Sequence, residues 1–442
     1  MPKATYYFPG GFLWGTATSS HQVEGNNQNN NWAAWERADG KIHAGQRAGL
    51  AADWWGGRWK EDFDRAADCG QNAHRFSIEW SRIQPTPNHW DEAALDRYRE
   101  MARGLERRSM TPLVTLHHFT DPYWLSERGG WKNDDTPELF NRYVAKVVEA
   151  LKEYVTLWVT INEPNLYTYL GYLNGVFPPG MNDKETAFVV LSNLVRGHAM
   201  AYKTIHDIQP QSRVGVAHHY RGFYPARAWL PADRLAANLF SQNLNDAVPQ
   251  ALADGKLNFL FKRQRIPAAA NTQDFFGLNY YSVDLVAFSP MRMQDFFTRR
   301  YSPKDAAVSE TGFIANAPWG FYDAIRWANR SKLPLIISEN GIEDSTDNLR
   351  PRYLVEHLHQ VWRALNGNWP VKGYFHWSLV DNFEWERGWS QRFGLWGLDI
   401  GSQARIRRPS VDLYAAICKE NAISYEMVEK YAPAALPALF PG

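Results

Sequence analysis

A chain of 442 residues with 48 lysines and arginines against 47 aspartates and glutamates has a net charge of +1. With no long basic block it lacks the field by which proteins hold nucleic acid or an anionic membrane surface, and neither partner is expected. No apolar run approaches the roughly 20 residues that cross a bilayer, and Cys69 and Cys418 are too few for a disulfide framework or a thiolate metal site.

The opening MPKATYYFPGG has no charged-then-apolar secretion layout, so a reducing, cytoplasmic location is expected. Buried runs that read as strands follow near 12–17, 73–78, 113–118, 157–161, 214–218, 275–280, 335–338 and 373–378. Between them, helical spacing predicts helices near 59–69, 91–108, 137–154, 184–208, 235–253, 320–330 and 351–365. In 137–154, for example, Phe140, Tyr143, Val144, Val147, Val148 and Leu151 share one face while Arg142, Lys146 and Glu149 lie between them. Leu157-Trp158-Val159-Thr160-Ile161 follows at once without polar alternation, as a parallel strand covered on both sides requires.

Eight such alternations predict an α/β fold, a single (β/α)₈ TIM barrel occupying 1–442 with no linker dividing it. The longer connections 18–58, 219–234 and 282–319 are expected as loops at the C-terminal face of the strands, with Asn26 to Asn31 at the mouth. Arg405, Arg407 and Arg408, the densest basic cluster, are expected on a solvated loop.

Polar residues fall where these strands end: Arg75, His118, Asn162 with Glu163, Asn279 with Tyr281, Glu339, and Trp377. A closed barrel brings those ends to one rim, so residues far apart in sequence converge on one pocket. Taken singly, the motifs have plainer readings. Asn162-Glu163-Pro164 also suits a helix start, and Glu339-Asn340-Gly341 suits a tight turn. The pairs His117-His118 and His218-His219 offer only one imidazole each to the rim, because neighbours on a strand face opposite ways, and no metal or other cofactor is expected. Two carboxyls in one cleft suffice to break a glycosidic bond with retention when they stand roughly 5 to 5.5 Å apart. Aromatic faces that stack on sugar rings give one use for the 20 tryptophans, although core packing accounts for most.

Four blocks in order resemble glycoside hydrolase family 1, the β-glucosidase and β-galactosidase family, over essentially the whole chain. They are Phe12 to Gly25 (FLWGTATSSHQVEG), Thr160-Ile161-Asn162-Glu163-Pro164, Ile337-Ser338-Glu339-Asn340-Gly341, and Trp377 to Trp385 (WSLVDNFEW) followed by Arg392-Phe393-Gly394. The resemblance implies Glu163 as general acid then base and Glu339 as the nucleophile. Arg75 and Tyr281 are then expected to contact Glu339 and keep it ionised, leaving the proton to Glu163. It further implies a sugar-binding shell of Gln22, His118, Asn162, Asn279, Trp377, Glu384, Trp385 and Phe393, with Asn162 on the 2-hydroxyl and Trp377 as the floor beneath the ring. The implied activity is a retaining exo-acting β-glycosidase acting on β-glucosides and cello-oligosaccharides, with β-galactosides and β-fucosides as side substrates. A transglycosidase using the same intermediate is the alternative.

Glu384-Trp385 stands where relatives acting on 6-phosphorylated sugars carry small polar residues, so phospho-sugars are disfavoured. Two departures from the family pattern bear on binding. Phe119-Thr120-Asp121 follows His118 where Trp-Asp is common, removing an indole donor from the sugar pocket. Phe313-Ile314-Ala315-Asn316 replaces a Trp-Glu stacking pair, which predicts an aliphatic leaving-group site, with Trp319 as a substitute platform and aryl or alkyl glucosides handled at least as well as cellobiose.

Overall fold

In the computed structural model, which describes residues 3–292 and 296–441, eight parallel strands close into a ring. They are β1 (Leu13–Ala17), β2 (Ala73–Ser77), β3 (Thr111–His117), β4 (Leu157–Asn162), β5 (Arg213–Pro225), β6 (Phe275–Phe288), β7 (Leu335–Asn340) and β8 (Val371–Trp377). Each pairs with the next, and β8 closes onto β1 through Gly373↔Leu13 and Trp377↔Ala17. A helix follows each strand: α1 (Trp59–Asp68), α2 (Glu92–Glu106), α3 (Thr136–Leu151), α4 (Lys184–Ile208), α5 (Ala247–Asp254), α6 (Pro318–Ala328), α7 (Arg350–Asn366) and α8 (Pro409–Glu420). The (β/α)₈ barrel expected from the alternation is therefore the fold.

Two layers of apolar packing hold it. Inside the ring, Ala17, Ala73, Leu113, Val159, Ala217, Phe275, Ile336 and Phe375 mix small and large side chains, as a filled barrel interior requires. Outside, helix faces cover the strands: Phe140, Tyr143, Val144, Val147, Val148 and Leu151 of α3 are fully buried. Each such side chain contributes about 1.5–3 kcal/mol relative to exposure. No helix among the described residues is long and apolar enough to cross a membrane.

Three expectations change. First, β5 and β6 do not end at the rim. They stay paired through Gly222↔Val283, Phe223↔Asp284, Tyr224↔Leu285 and Pro225↔Val286, and a short strand, Thr298–Tyr301, adds antiparallel to β6. Much of what reads as loop in 219–234 and 282–319 is thus a sheet overhanging the barrel mouth, although 293–295 lie outside the described residues. Above the rim one face of these strands meets solvent, so the continuous apolar signature of the barrel is lost. Second, the helix expected over 235–253 is Pro231–Ser241, a π-helical stretch Gln242–Asp246, and α5. Asn245 in that stretch turns its amide to the backbone of Arg221, donating to the carbonyl at 2.9 Å and accepting from the N–H at 3.2 Å.

Third, the cluster at 405–408 is not a solvated loop. Arg405 donates two hydrogen bonds, of 3.0 and 2.7 Å, to buried Asp62, and Arg408 donates two, of 2.8 and 2.9 Å, to buried Asp381. Only Arg407 points outward. A carboxylate taken out of water without a cation costs several kcal/mol, and these arginines answer two such carboxylates.

Candidate active site

The strand ends open into a cleft of about 930 Å³ whose wall includes His118, Asn162, Glu163, Tyr281, Glu339, Trp377, Glu384, Trp385 and Phe393. A larger groove of about 1240 Å³ on the barrel flank has Asp246 as the sole acid of its lining, so it offers no carboxyl pair among the described residues.

Glu339 ends β7 with both oxygens occupied. Arg75 Nη1 donates to Oε1 at 2.6 Å, and the Tyr281 hydroxyl donates to Oε2 at 2.5 Å. The guanidinium is itself fixed: Nε donates to Thr115 Oγ1 at 3.0 Å, Nη1 to the Ser338 carbonyl at 3.2 Å, and Nη2 to Asn162 Oδ1 at 2.7 Å. Arg75 thus ties Glu339 to the end of β4. From there Glu163 accepts at Oε1 from Asn279 Nδ2 at 2.8 Å and faces His219 Nδ1 at 3.1 Å. Asn279 spends its second donor bond on Asn162 at 3.1 Å, and its carbonyl oxygen accepts from the Ser338 hydroxyl at 2.6 Å.

The backbone aims these groups at a local cost. Glu163 has φ 45° and ψ 58°, and Phe119 and Trp385, also on the cleft wall, have φ of 67° and 50°. A left-handed conformation costs a side-chain-bearing residue on the order of 1–3 kcal/mol and persists where surrounding structure over-determines it. Glu163 also caps the short helix Pro164–Thr168, so the helix-start reading of Asn-Glu-Pro and its placement on the cleft both hold. The turn reading of Glu339-Asn340-Gly341 does not. Gly341 does not adopt positive φ, and a Cβ there would come 1.9 Å from the Trp377 carbonyl oxygen, so glycine is required for close approach.

Burial is the largest influence on Glu339 and raises its carboxyl. Arg75 lowers it, Glu163 raises it further and the Tyr281 bond lowers it, leaving it at about 7. The expected contacts to Glu339 are present, but dry surroundings and a neighbouring acid outweigh the two donors. Tyr281 is pushed well above its ordinary value by burial and by Glu339, and so remains a hydroxyl donor. Burial, then Arg75 and His117, hold His118 well below its ordinary value, as a neutral imidazole. Burial raises Glu384 well above the carboxylate range, with Glu386 and Glu339 adding to it, against hydrogen bonds from Trp377 and Gln22. A fixed negative charge at Glu384 therefore does not carry the case against a 6-phosphate.

Of the ten residues singled out from sequence for binding or support, Gln22, Asn279 and Arg75 are not on the cleft wall; Arg75 contacts Glu339 as expected, and the other two spend their amides on neighbouring residues. Gln22 is fully buried, its amide nitrogen donating to Asn382 at 2.9 Å, the Phe383 carbonyl at 2.9 Å and Glu384 at 3.1 Å, while its carbonyl oxygen accepts from Ser19 at 2.6 Å. Asn279, with its amide committed as above, positions Glu163 and Asn162. The leaving-group end differs more. Ile314 is fully buried, Phe313 faces the cleft with the Arg387 guanidinium 5.1 Å above its ring, and Trp319 packs edge-on against Tyr224 away from the cleft wall. The residue facing the cleft is thus aromatic, not aliphatic, because residue 313 takes the outward face and residue 314 the inward one. His219 was legible only as half of a histidine pair, although its position one past the 214–218 run marks a strand end. At the Phe119 departure, the ring packs 5.3 Å from Trp385.

Two carboxyls on one cleft at the C-terminal rim of a (β/α)₈ barrel, one of them gripped by an arginine and a tyrosine, define the class of two-carboxylate glycosidases. Residues 4–423 match glycosyl hydrolase family 1, and the chain belongs to that family. It is 33% identical to a 1,4-beta-D-glucan glucohydrolase of Thermotoga neapolitana, covering 94% of this chain and 99% of that protein. The structure of a beta-glycosidase from Pyrococcus horikoshii superposes with a TM-score of 0.90 at 36% identity, covering 97% of this chain and 98% of that one. A beta-glucosidase from Thermotoga maritima in complex with glucoimidazole superposes with a TM-score of 0.88 at 32% identity, covering 95% of this chain and 100% of that one.

Proposed function

We propose that residues 1–442 act as one catalytic domain, a retaining, exo-acting β-glycosidase, foremost a β-glucosidase that also takes β-galactosides and β-fucosides. In the first step a Glu339 oxygen attacks the anomeric carbon, the bond to the leaving oxygen breaks, and Glu163 gives that oxygen its proton. In the second step Glu163 takes a proton from water, whose oxygen displaces the Glu339 ester, and the sugar leaves with its original anomeric configuration. We assign Asn162 to the 2-hydroxyl, where a contact that strengthens with oxocarbenium character lowers the barrier. Trp377 and Phe393 supply apolar wall, and His118 and Glu384 supply hydroxyl partners. β-Glucosides and cello-oligosaccharides are the substrates this pocket suits, and a cytoplasmic location fits two free, buried thiols at Cys69 and Cys418. No observation favours transfer to an acceptor other than water.

The observation that carries the reading is the double grip of Arg75 and Tyr281 on Glu339 in the same cleft as Glu163. Following nitrophenyl β-glucoside hydrolysis by proton NMR tests it. The β anomer should appear first, with the α anomer arising only by later mutarotation; release of α-glucose as first product overturns the mechanism.

A further inference from the structure

Outside the sugar pocket the same cleft changes character. The overhanging sheet contributes Arg221, Asp284, Arg299 and Arg300 to the wall, and Arg387 and Phe313 also line it. Buried Asp284 stands between two guanidiniums: Arg221 Nη2 donates to Oδ1 at 2.7 Å and Arg300 Nη1 to Oδ2 at 3.4 Å, so one positive charge is left over. Arg299, exposed beside Arg300, makes no ion pair among the described residues. Arg387 pairs with Glu386 at 3.0 Å and keeps its guanidinium over Phe313, while Arg300 lies 5.7 Å from the centre of the Phe240 ring, also on the cleft wall. The outer cleft thus sets two arginines over aromatic faces and holds fewer carboxylates than guanidiniums among the described residues. Planar guanidiniums recognise carboxylates through paired N–H donors, and ring faces recognise planar groups.

We propose that the outer cleft selects aglycones that are both aromatic and anionic, so that carboxylated aryl β-glucosides are the favoured substrates. The neutral sugar sits on the carboxyl pair, the aglycone ring lies on Phe313, and its carboxylate meets the exposed Arg299, while Arg300 stays on Asp284 and adds its charge to the field. A charged group on the sugar itself would lie in the inner pocket and not against these arginines, so the selection acts only on the leaving-group side. This inference rests on the β-glycosidase reading and adds a substrate class to it.

The test compares kcat/KM for 4-carboxyphenyl β-glucoside with that for the 4-carbamoylphenyl analogue, of similar shape but neutral. Because the two leaving phenols differ in basicity, the quantity read is how their ratio changes, not its absolute value. Raising salt from about 20 mM to about 0.5 M should lower the wild-type ratio several-fold, since it screens half-exposed charges. The exposed Arg299→Gln change should lower the ratio about threefold and R299Q/R300Q further, in line with partly exposed ion pairs. A wild-type ratio that salt leaves unchanged overturns the proposal without requiring any variant to fold, as does a ratio that survives R299Q/R300Q. Hydrolysis of neither glucoside would instead remove the glycosidase reading on which it stands.

Discussion

The inner and outer halves of the cleft are built on opposite terms. Around Glu339 and Glu163 the side chains are buried and closely committed: Arg75 makes four hydrogen bonds and Asn279 three. Around Arg299, Arg300 and Arg387 the groups are exposed, with one ion pair each for Arg300 and Arg387 and none for Arg299 among the described residues. Chemistry requires charges held where the transition state will need them, whereas discrimination among leaving groups tolerates side chains that adjust. Substitutions in the two halves should therefore differ in kind as well as size, the inner ones moving kcat and pH dependence and the outer ones moving relative preference.

The largest effect is expected at Glu339. Glu339→Gly removes the attacking oxygen and should lower kcat on nitrophenyl β-glucoside by on the order of 10⁴-fold or more, as losses of a covalent nucleophile do. External azide, small enough to enter the vacated space, should restore part of the turnover, and a variant retaining a tenth of wild-type activity would show that another group attacks. Next comes Glu163→Ala. It should cost roughly 10²- to 10⁴-fold on cellobiose, whose departing hydroxyl needs a proton, and far less in the first step on dinitrophenyl glucoside, which leaves unaided. Equal losses on both substrates would deny Glu163 the acid role.

The third test reads the electrostatics directly. Glu339 must be ionised to attack, and burial raises its carboxyl to about 7 against the Tyr281 bond that lowers it. The acidic limb of kcat/KM should therefore lie near 7, with activity lost as pH falls through it. Tyr281→Phe removes a lowering influence, so the limb should move to higher pH and the loss be greatest on the acid side. The same sign applies to folding: a carboxyl raised from 4.5 to about 7 favours the folded state below 4.5, and that contribution is lost as pH rises through about 7. A limb that stays in place or moves down in Tyr281→Phe would show that the hydroxyl does not act on Glu339.

How far each half could be read from sequence follows the same division. Barrel strands such as β4 are covered on both faces, so their apolar runs are continuous and their ends are easily found, and with the ends come Arg75, Glu163 and Glu339. The overhang of β5 and β6 reads as loop because Arg221 and Asp284 interrupt its apolar runs. Buried pairs such as Asp62 with Arg405 join residues 343 positions apart, and no local pattern announces them. Gln22 and Asn279 stand out in the motifs, yet which neighbours their amides bind depends on packing that motifs do not encode. The plainer turn reading of Asn340-Gly341 fails because a dipeptide carries turn preference but not the proximity of Trp377.

Phe313 gives the smallest and most discriminating test of the comparison, because it was misread by a single step of side-chain alternation. With residue 313 outward and residue 314 inward, the proposed leaving-group platform is Phe313, 42% exposed, with Arg387 over its ring. An aromatic pair of this sort contributes about 0.5–1.5 kcal/mol, so Phe313→Ala should raise KM for aryl glucosides about three- to tenfold. Its effect on kcat and on the acidic limb should be slight, since no ring contact among the described residues joins it to the inner network. A large drop in kcat, or a shifted limb, would mean that the two halves are mechanically one. If KM rises equally for methyl β-glucoside, which has no ring to stack, Phe313 shapes the mouth of the cleft without gripping the aglycone. A rise confined to aryl substrates places leaving-group recognition on the outer wall and separates it from bond cleavage.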